Sequence, residues 1–77
     1  MEPRIDIRHL RAFVAVAEAG SLSAGARSLD VSQPAVSQSL AALEESLNVR
    51  LLVRGPGGTS PTAAGAVLLS EARTLIG

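Results

Sequence analysis

The chain has 77 residues, and its seven arginines and seven acidic residues give a formal net charge of zero at pH 7. A chain of this length can form one small domain, because it buries only about 60% of its unfolded surface on folding. Hydrophobic residues make up 47% of the sequence, with alanine frequent and Phe13 the one aromatic residue. Small side chains favour closely packed helices over a thick β-sandwich, so we expect a mostly α-helical domain.

The composition also excludes several kinds of chemistry. With no cysteine and one histidine, His9, the chain offers no disulfide, no thiolate nucleophile and no recognisable metal site. No catalytic arrangement of serine, histidine or paired carboxylates is spaced along it, and no segment resembles a signal peptide or a membrane span. We therefore expect a cytoplasmic protein that is not an enzyme and uses no metal or cofactor.

The first predicted helix begins after Asp6, which can cap it, and ends near Ala19, where Gly20 suits a left-handed stop. Its inward positions recur at helical spacing: Leu10, Phe13, Val14 and Ala17. Its other face carries the small residues Ala12, Ala15 and Ala19. These alanines either let a second helix come close or lie on a solvent-exposed surface, and the sequence leaves both readings open.

Two helices joined by a tight turn follow. Ser21 or Ser23 can cap a short helix that ends near Leu29, and the small residue Ala26 suits a close helix crossing. After the turn, Ser32 can cap the next helix. This order of elements also occurs in ordinary helical corners, so by itself it is weak support for a DNA-binding motif.

The third helix is predicted over residues 32–47, with Pro34 in its first turn and Asn48 as a left-handed terminator. One stripe of this helix is apolar, at spacings of four, three and four residues: Val36, Leu40, Leu43 and Leu47. The run from Val31 to Leu43 is uncharged. Polar and small residues there would suit base edges in a DNA groove, or would simply fill a solvated helix face.

The rest of the chain predicts a hairpin and a last helix. Residues 51–53 are strand-like, residues 55–58 read Gly-Pro-Gly-Gly, and a second short strand follows. Thr62 can cap a helix from Ala63 to beyond Leu75. Its apolar positions cover about 200° of the helical wheel: Ala64, Leu68, Leu69, Ala72, Leu75 and Ile76. This width predicts two partners for the helix, its own domain and a second chain.

A resemblance sharpens these predictions. The segments that carry it are Gly20–Ser23, Ala26–Leu29, Val31–Gln38, Leu43–Glu44, Leu47–Leu52, Arg54 and Thr62–Gly65. Together they resemble the N-terminal domain of LysR-type transcriptional regulators, and the Ser-Gln-Pro-Ala-Val-Ser block at residues 32–37 is the most specific part. The resemblance implies a winged helix-turn-helix over residues 1–61, made of three helices plus a short β-hairpin wing. Residues 62–77 would begin a linker helix through which two chains dimerise.

The resemblance also assigns roles to residues. It implies double-stranded DNA as the partner, with the third helix in the major groove. Base contacts fall to Gln33, Pro34, Ser37 and Gln38. Phosphate contacts fall to Ser23, Ser32 and Arg54, and we expect Arg50, Arg27 and Thr62 to add to them. The expected dimer contacts are Leu68, Leu69, Ala72, Leu75 and Ile76. A small-molecule effector would act only through a C-terminal domain that this chain lacks.

Several positions depart from the family pattern. The family often has a basic residue at the positions of Ala24 and Ala41 and in the wing, where residues 55–58 contain no charge. The neutral net charge is likewise an argument against nucleic-acid binding. The main hypothesis is therefore a dimeric, sequence-specific DNA-binding domain. The alternative is a helical dimerisation or adaptor domain that has lost DNA binding.

Overall fold

A computed structural model describes residues 5–76, with side chains described for residues 5–75. Its elements, in chain order, are α1 (Ile7–Ala19), α2 (Leu22–Leu29), α3 (Gln33–Leu47), β1 (Leu52–Gly55), β2 (Gly58–Pro61) and α4 (Ala63–Ile76). This order confirms the predicted fold class, three helices and a hairpin followed by a further helix. None of the helices in the described range is long and apolar enough to span a membrane.

The helix starts follow from side chains that accept amide hydrogens. The Asp6 carboxylate accepts from Arg8 N at 2.9 Å, and the Ser21 hydroxyl accepts from Ala24 N at 3.1 Å, so Ser21 rather than Ser23 caps α2. Hydrogen bonds from the side chain and backbone of Arg8 lower the pKa of Asp6 from 3.8 to about 2. The carboxylate at the start of α1 therefore stays ionised under ordinary conditions.

The helix ends follow from residues with left-handed backbones. Gly20, Asp30 and Asn48 have φ values of 80°, 58° and 55° and end α1, α2 and α3 in turn. Their amides bond back to carbonyls in the last turn of the preceding helix, which satisfies groups that a helix end leaves unpaired. The turn between α2 and α3 is short for this reason.

One apolar core joins all four helices and the first strand. Val36, Leu40 and Leu43 of the predicted stripe are buried, and Leu47 is half-buried. In α1 the structure buries Val16, which the predicted inward set omitted, and Ala12, while Ala19 is exposed. The small face of α1 is thus partly a contact surface. Its buried part supports the first of the two readings that the sequence left open.

The crossing of α1 and α2 depends on Gly25. A Cβ atom added there would lie 2.7 Å from Cγ2 and 2.9 Å from Cα of Val16, closer than real Cβ contacts allow. Ala26, which the sequence indicated as the small residue where α2 crosses α3, is also buried. The closest approach of α1 and α2 is at Gly25. The close packing that Gly25 permits offsets the loss of helix stability that a glycine causes inside α2.

The hairpin is antiparallel and is bound to the helices. Leu52 pairs with Pro61 and Gly55 with Gly58, so Pro56 and Gly57 form a two-residue turn. The amide of Thr59 donates to the carbonyl of Gly20 at 2.8 Å. The second strand of the hairpin is thereby fixed against the turn between α1 and α2.

The last helix begins where Thr62 caps it, with the Thr62 hydroxyl accepting from Gly65 N at 3.0 Å. Leu69 and Ala72 are buried in the domain's own core, so the expectation that they contact a second chain is wrong. Leu68 is half-buried and Leu75 is exposed, whereas the side chain of Ile76 lies outside the described residues. Val67, which lies outside the predicted apolar positions of this helix, is 63% exposed.

The stripe on α3 leads to a stability prediction. Leu40→Ala should lower the free energy of unfolding by about 2–5 kcal/mol, because it leaves a cavity where α3 meets the core. Leu75→Ala makes the same truncation at a side chain that is 74% exposed and should cost about 0.5 kcal/mol or less. Urea denaturation at a concentration that keeps the chain monomeric measures both. Equal losses in the two variants would contradict the inward orientation of Leu40.

Candidate nucleic-acid interface

The turn between α2 and α3 holds the two helices in a fixed relation. Asp30 takes the left-handed conformation, and its amide bonds to Arg27 O at 3.1 Å. The amide of Val31 reaches Ala26 O at 3.1 Å, and Ser32 then caps α3 by accepting from Ala35 N at 3.2 Å. Two helices joined in this way, with the second exposed at its N-terminal end, form the geometry of a helix-turn-helix.

The N-terminal half of α3 presents the four candidate base-reading residues. Gln33, Pro34 and Gln38 are exposed, and Ser37 is half-buried. None of them belongs to the core, which α3 enters through Val36. The side chains that can bond base edges are therefore available at the surface.

A groove of about 200 Å³ separates the starts of α2 and α3 from the tip of the hairpin. We call it the wing-tip groove, and its lining residues are Ser21, Leu22, Ser23, Gln33, Arg54, Gly55, Gly58 and Thr59. It brings one candidate base-reading residue, Gln33, together with two candidate phosphate contacts, Ser23 and Arg54. These residues come from three separate elements of the chain.

A second groove of about 410 Å³ lies between the middle of α3 and the first strand. We call it the wing-base groove, and its lining residues are Leu22, Ser37, Leu40, Glu44, Arg50, Leu52, Val53, Arg54 and Thr59. Arg54 lines both grooves. The two grooves therefore border one surface that runs along α3, with Arg54 between them.

Backbone amides add donors to this surface. At the start of α2, the amides of Leu22 and Ser23 have no hydrogen-bond partner among the described residues, and the same holds for Gln33 at the start of α3. Such amides, together with the helix dipole, favour an anion at a helix N-terminus. The Ser32 hydroxyl accepts from Ala35 N, so its own hydrogen can still be donated.

Two of the expected phosphate contacts do not fit the surface. The Thr62 hydroxyl donates its single hydrogen to Arg50 O at 2.6 Å, so donation to a phosphate would require breaking that bond. Arg27 is exposed on α2, but it lines neither groove. Arg50 does line the wing-base groove, with its Nε 3.9 Å from Glu44 Oε2 and its side chain 76% exposed.

Thr59 and Glu44 belong to this surface but were not among the predicted contacts. Thr59 lines both grooves, and only the register of the hairpin brings it there. Glu44 lines the wing-base groove and accepts hydrogen bonds from the chain that enters β1. The sequence carried one signal for Glu44, an acidic residue directly after the apolar stripe position Leu43. Within residues 5–75 no group of acidic or histidine side chains could hold a metal ion.

Comparison with known proteins identifies the family. The family described as "Bacterial regulatory helix-turn-helix protein, lysR family" matches residues 7–66. The SDS degradation transcriptional activation protein of Pseudomonas sp. (strain ATCC 19151) is 49% identical over 71 residues, which are 92% of this chain and 23% of that protein. The small neutral protease regulatory protein of Streptomyces coelicolor is 47% identical over 70 residues, 91% of this chain and 22% of that protein.

Solved structures agree with this assignment. The DNA-binding domain of CbnR in complex with DNA has a TM-score of 0.86 at 45% identity, covering 92% of this chain and 82% of that one. The DNA-binding domain of BenM bound to benA site 1 DNA has a TM-score of 0.87 at 38% identity, covering 92% of this chain and 83% of that one. The chain spans less than a quarter of the length of the two regulators compared above. It belongs to the LysR family of bacterial regulatory helix-turn-helix proteins and matches the part of CbnR and BenM that was solved as their DNA-binding domain.

Proposed function

We propose that the domain reads double-stranded DNA by inserting the N-terminal half of α3 into the major groove, while the hairpin contacts the adjacent backbone. The observation that carries the proposal is the shared border of the two grooves, since Arg54 lines the wing-tip groove with Gln33 and the wing-base groove with Ser37. Positive charge beside the reading residues is what a DNA interface requires. The CbnR and BenM domains, solved with DNA, support the same docking for this chain.

The proposed reading residues have distinct chemistry. Gln33 and Gln38 can bond an adenine through both the carbonyl and the amino group of the side chain. The Ser37 hydroxyl can donate to or accept from a base edge, and Pro34 offers a small apolar contact at the start of the helix. All four carry no charge, so they contribute to sequence discrimination and little to non-specific attraction.

The proposed phosphate contacts combine a few arginines with neutral donors. Arg54 is the central one, with Arg50 beside it in the wing-base groove. Ser23 and Ser32 lie at the starts of α2 and α3, where backbone amides without a partner among the described residues add donors. Arg27 would contact phosphate only outside the two grooves. Thr62 is left out of the interface because its hydroxyl bonds to Arg50 O.

Dimerisation is the second part of the proposal. A cavity of about 590 Å³ lies between the start of α1 and the end of α4, and its lining includes Ile5, Ile7, Leu68 and Leu75. Ile5, Ile7 and Leu75 are exposed, and Val67 adds further apolar surface on α4. We propose that α4 and the start of α1 of two chains cover these surfaces in a homodimer, which would read two half-sites.

The domain boundary and the role of the rest of the protein are proposed from the family. We place the boundary between DNA-binding and dimer functions after residue 61, at the Thr62 cap, although α4 shares the core of the domain. In a regulator of this family, a separate C-terminal domain would bind a small-molecule effector, and the protein would act in the cytoplasm. The uncharged wing tip, residues 55–58, and the zero net charge favour the alternative of an adaptor domain without DNA binding.

Substitutions should distinguish the residues that contact bases from the residue that contacts phosphate. Gln33→Ala or Gln38→Ala should reduce discrimination at particular base pairs by about 1–3 kcal/mol, because each substitution removes a direct base contact. Arg54→Ala should weaken binding to all sequences alike, because it removes a phosphate contact. A binding-site selection and a titration with randomised DNA measure the two effects. Sequence-independent losses in all three variants would contradict the assigned reading face.

Salt dependence tests the small number of charged contacts. If about two arginines per subunit reach phosphates, a dimer neutralises about four charges and log K should fall with log salt at a slope of about −3.6. A titration between about 50 and 300 mM salt spans the range needed. A slope steeper than about −6 would reveal further basic contacts. No binding even at the lowest salt would favour the adaptor domain.

The dimer surface can be tested by charge. Leu75→Glu and Val67→Glu should each raise the dimer dissociation constant at least about tenfold, because a partly desolvated carboxylate opposes the contact. Val49→Glu is the matched control, since Val49 is similarly apolar and exposed but lies beyond the end of α3. Sedimentation equilibrium measures all three. A wild-type chain that stays monomeric at high micromolar concentration would contradict the proposal.

A further inference from the structure

Glu44 connects the last turn of α3 to the start of the hairpin. Its Oε2 atom accepts from the amide of Leu51 at 2.7 Å and from the amide of Leu52 at 3.3 Å. Its side chain is 23% exposed, and Oε2 lies 3.9 Å from Nε of Arg50. One carboxylate oxygen therefore holds two consecutive amides and faces an arginine.

The two amides belong to buried residues, so their partner matters. Leu51 and Leu52 are 1% and 7% exposed, and Leu51 lies just before β1, outside the ladder that joins the two strands. A buried amide without a partner is costly, and a charged acceptor makes the stronger kind of hydrogen bond. Glu44 thus supplies a strong partner at the point where the chain leaves α3 for the wing.

The negative charge of the Glu44 carboxylate lies where it should weaken DNA binding. Glu44 lines the wing-base groove together with Ser37, Arg50 and Arg54. A negative charge beside a phosphate contact repels DNA and offsets part of the attraction from the arginines. An acidic residue in this position therefore needs a benefit that outweighs the repulsion.

We propose that Glu44 is a positioning residue for DNA binding, which fixes the first strand of the hairpin against α3 and thereby sets the distance between Ser37 and Arg54 across the wing-base groove. The proposal rests on the proposed function of this surface. The second strand has its own tie to the helices, from Thr59 N to Gly20 O at 2.8 Å, and Thr62 N donates to Leu51 O at 2.9 Å, which joins the two ends of the hairpin. Loss of Glu44 should therefore leave the hairpin formed and loosen the contact between its first strand and α3.

The experiment compares Glu44→Ala with Glu45→Ala. Both variants remove one negative charge from adjacent positions of α3, but Glu45 is exposed and lines neither groove. Repulsion alone would make both variants bind DNA more tightly. Positioning gives opposite signs: Glu45→Ala should bind specific DNA at least as tightly as the wild type, and Glu44→Ala should bind it about tenfold more weakly, a loss of about 1.4 kcal/mol.

Two further readouts separate positioning from a general loss of stability. Glu44→Gln keeps an oxygen that can accept from both amides, so it should restore most of the affinity. Arg54→Ala should weaken Glu44→Ala less than it weakens the wild type, because the arginine is already misplaced. All affinities are measured where circular dichroism shows each variant fully folded. Amide exchange at Leu51 and Leu52, but not at Leu69, should accelerate in Glu44→Ala.

The outcomes distinguish this proposal from the one on which it rests. A wild-type domain that binds no DNA would overturn the proposed function, and the positioning role with it. A wild-type domain that binds DNA, with Glu44→Ala and Glu45→Ala equally tight or with additive effects of Glu44→Ala and Arg54→Ala, would overturn the positioning role alone. Weaker binding confined to Glu44→Ala, with rescue by Glu44→Gln, supports it.

Discussion

The backbone of Leu51 is the point on which the arrangement of the reading surface depends. Its amide donates to Glu44 of α3, and its carbonyl accepts from the amide of Thr62, which caps α4. Its side chain is almost fully buried, and the space beside its carbonyl admits only the hydrogen of Gly65. A single residue thus joins α3, the hairpin and α4, so the three cannot move independently.

Fixed positions of α3, the hairpin and α4 matter for a domain that has little positive charge with which to attract DNA. With zero net charge and no basic residue at the wing tip, long-range attraction to DNA is weak. Affinity must then come from short-range contacts, which depend on donors being held at the right distances. Arg54 can serve both grooves only while the hairpin keeps its place against α3. Placement of a few donors substitutes for the charge that the sequence lacks.

Sequence reasoning succeeded where local chemistry decides the structure. Asp6, Ser32 and Asn48 mark helix ends through contacts with residues two to four positions away, and such signals can be read from the linear sequence.

Sequence reasoning failed where distant segments of the chain meet. Gly25 against Val16 and Thr62 against Arg50 are contacts that a linear pattern does not encode. The breadth of the apolar face on α4 predicted two partners for the helix, and the second chain stays a prediction. Leu69 and Ala72 were assigned to that second chain because a linear pattern does not tell which side of α4 meets α1.

The same junction connects the reading surface to the proposed dimer surface. In a dimer that binds two half-sites, the separation of the two recognition helices must match whole turns of DNA. That separation depends on how firmly α4 is held relative to α3 within each chain. Here Thr62 and Gly65 begin α4 directly against Leu51, and Arg73 of α4 pairs with Glu18 of α1 at 3.1 Å. If a second chain docks on α4, these contacts fix the position of α3 relative to the dimer interface. The distance between the two recognition helices, and with it the half-site spacing, is then set by the folded domain.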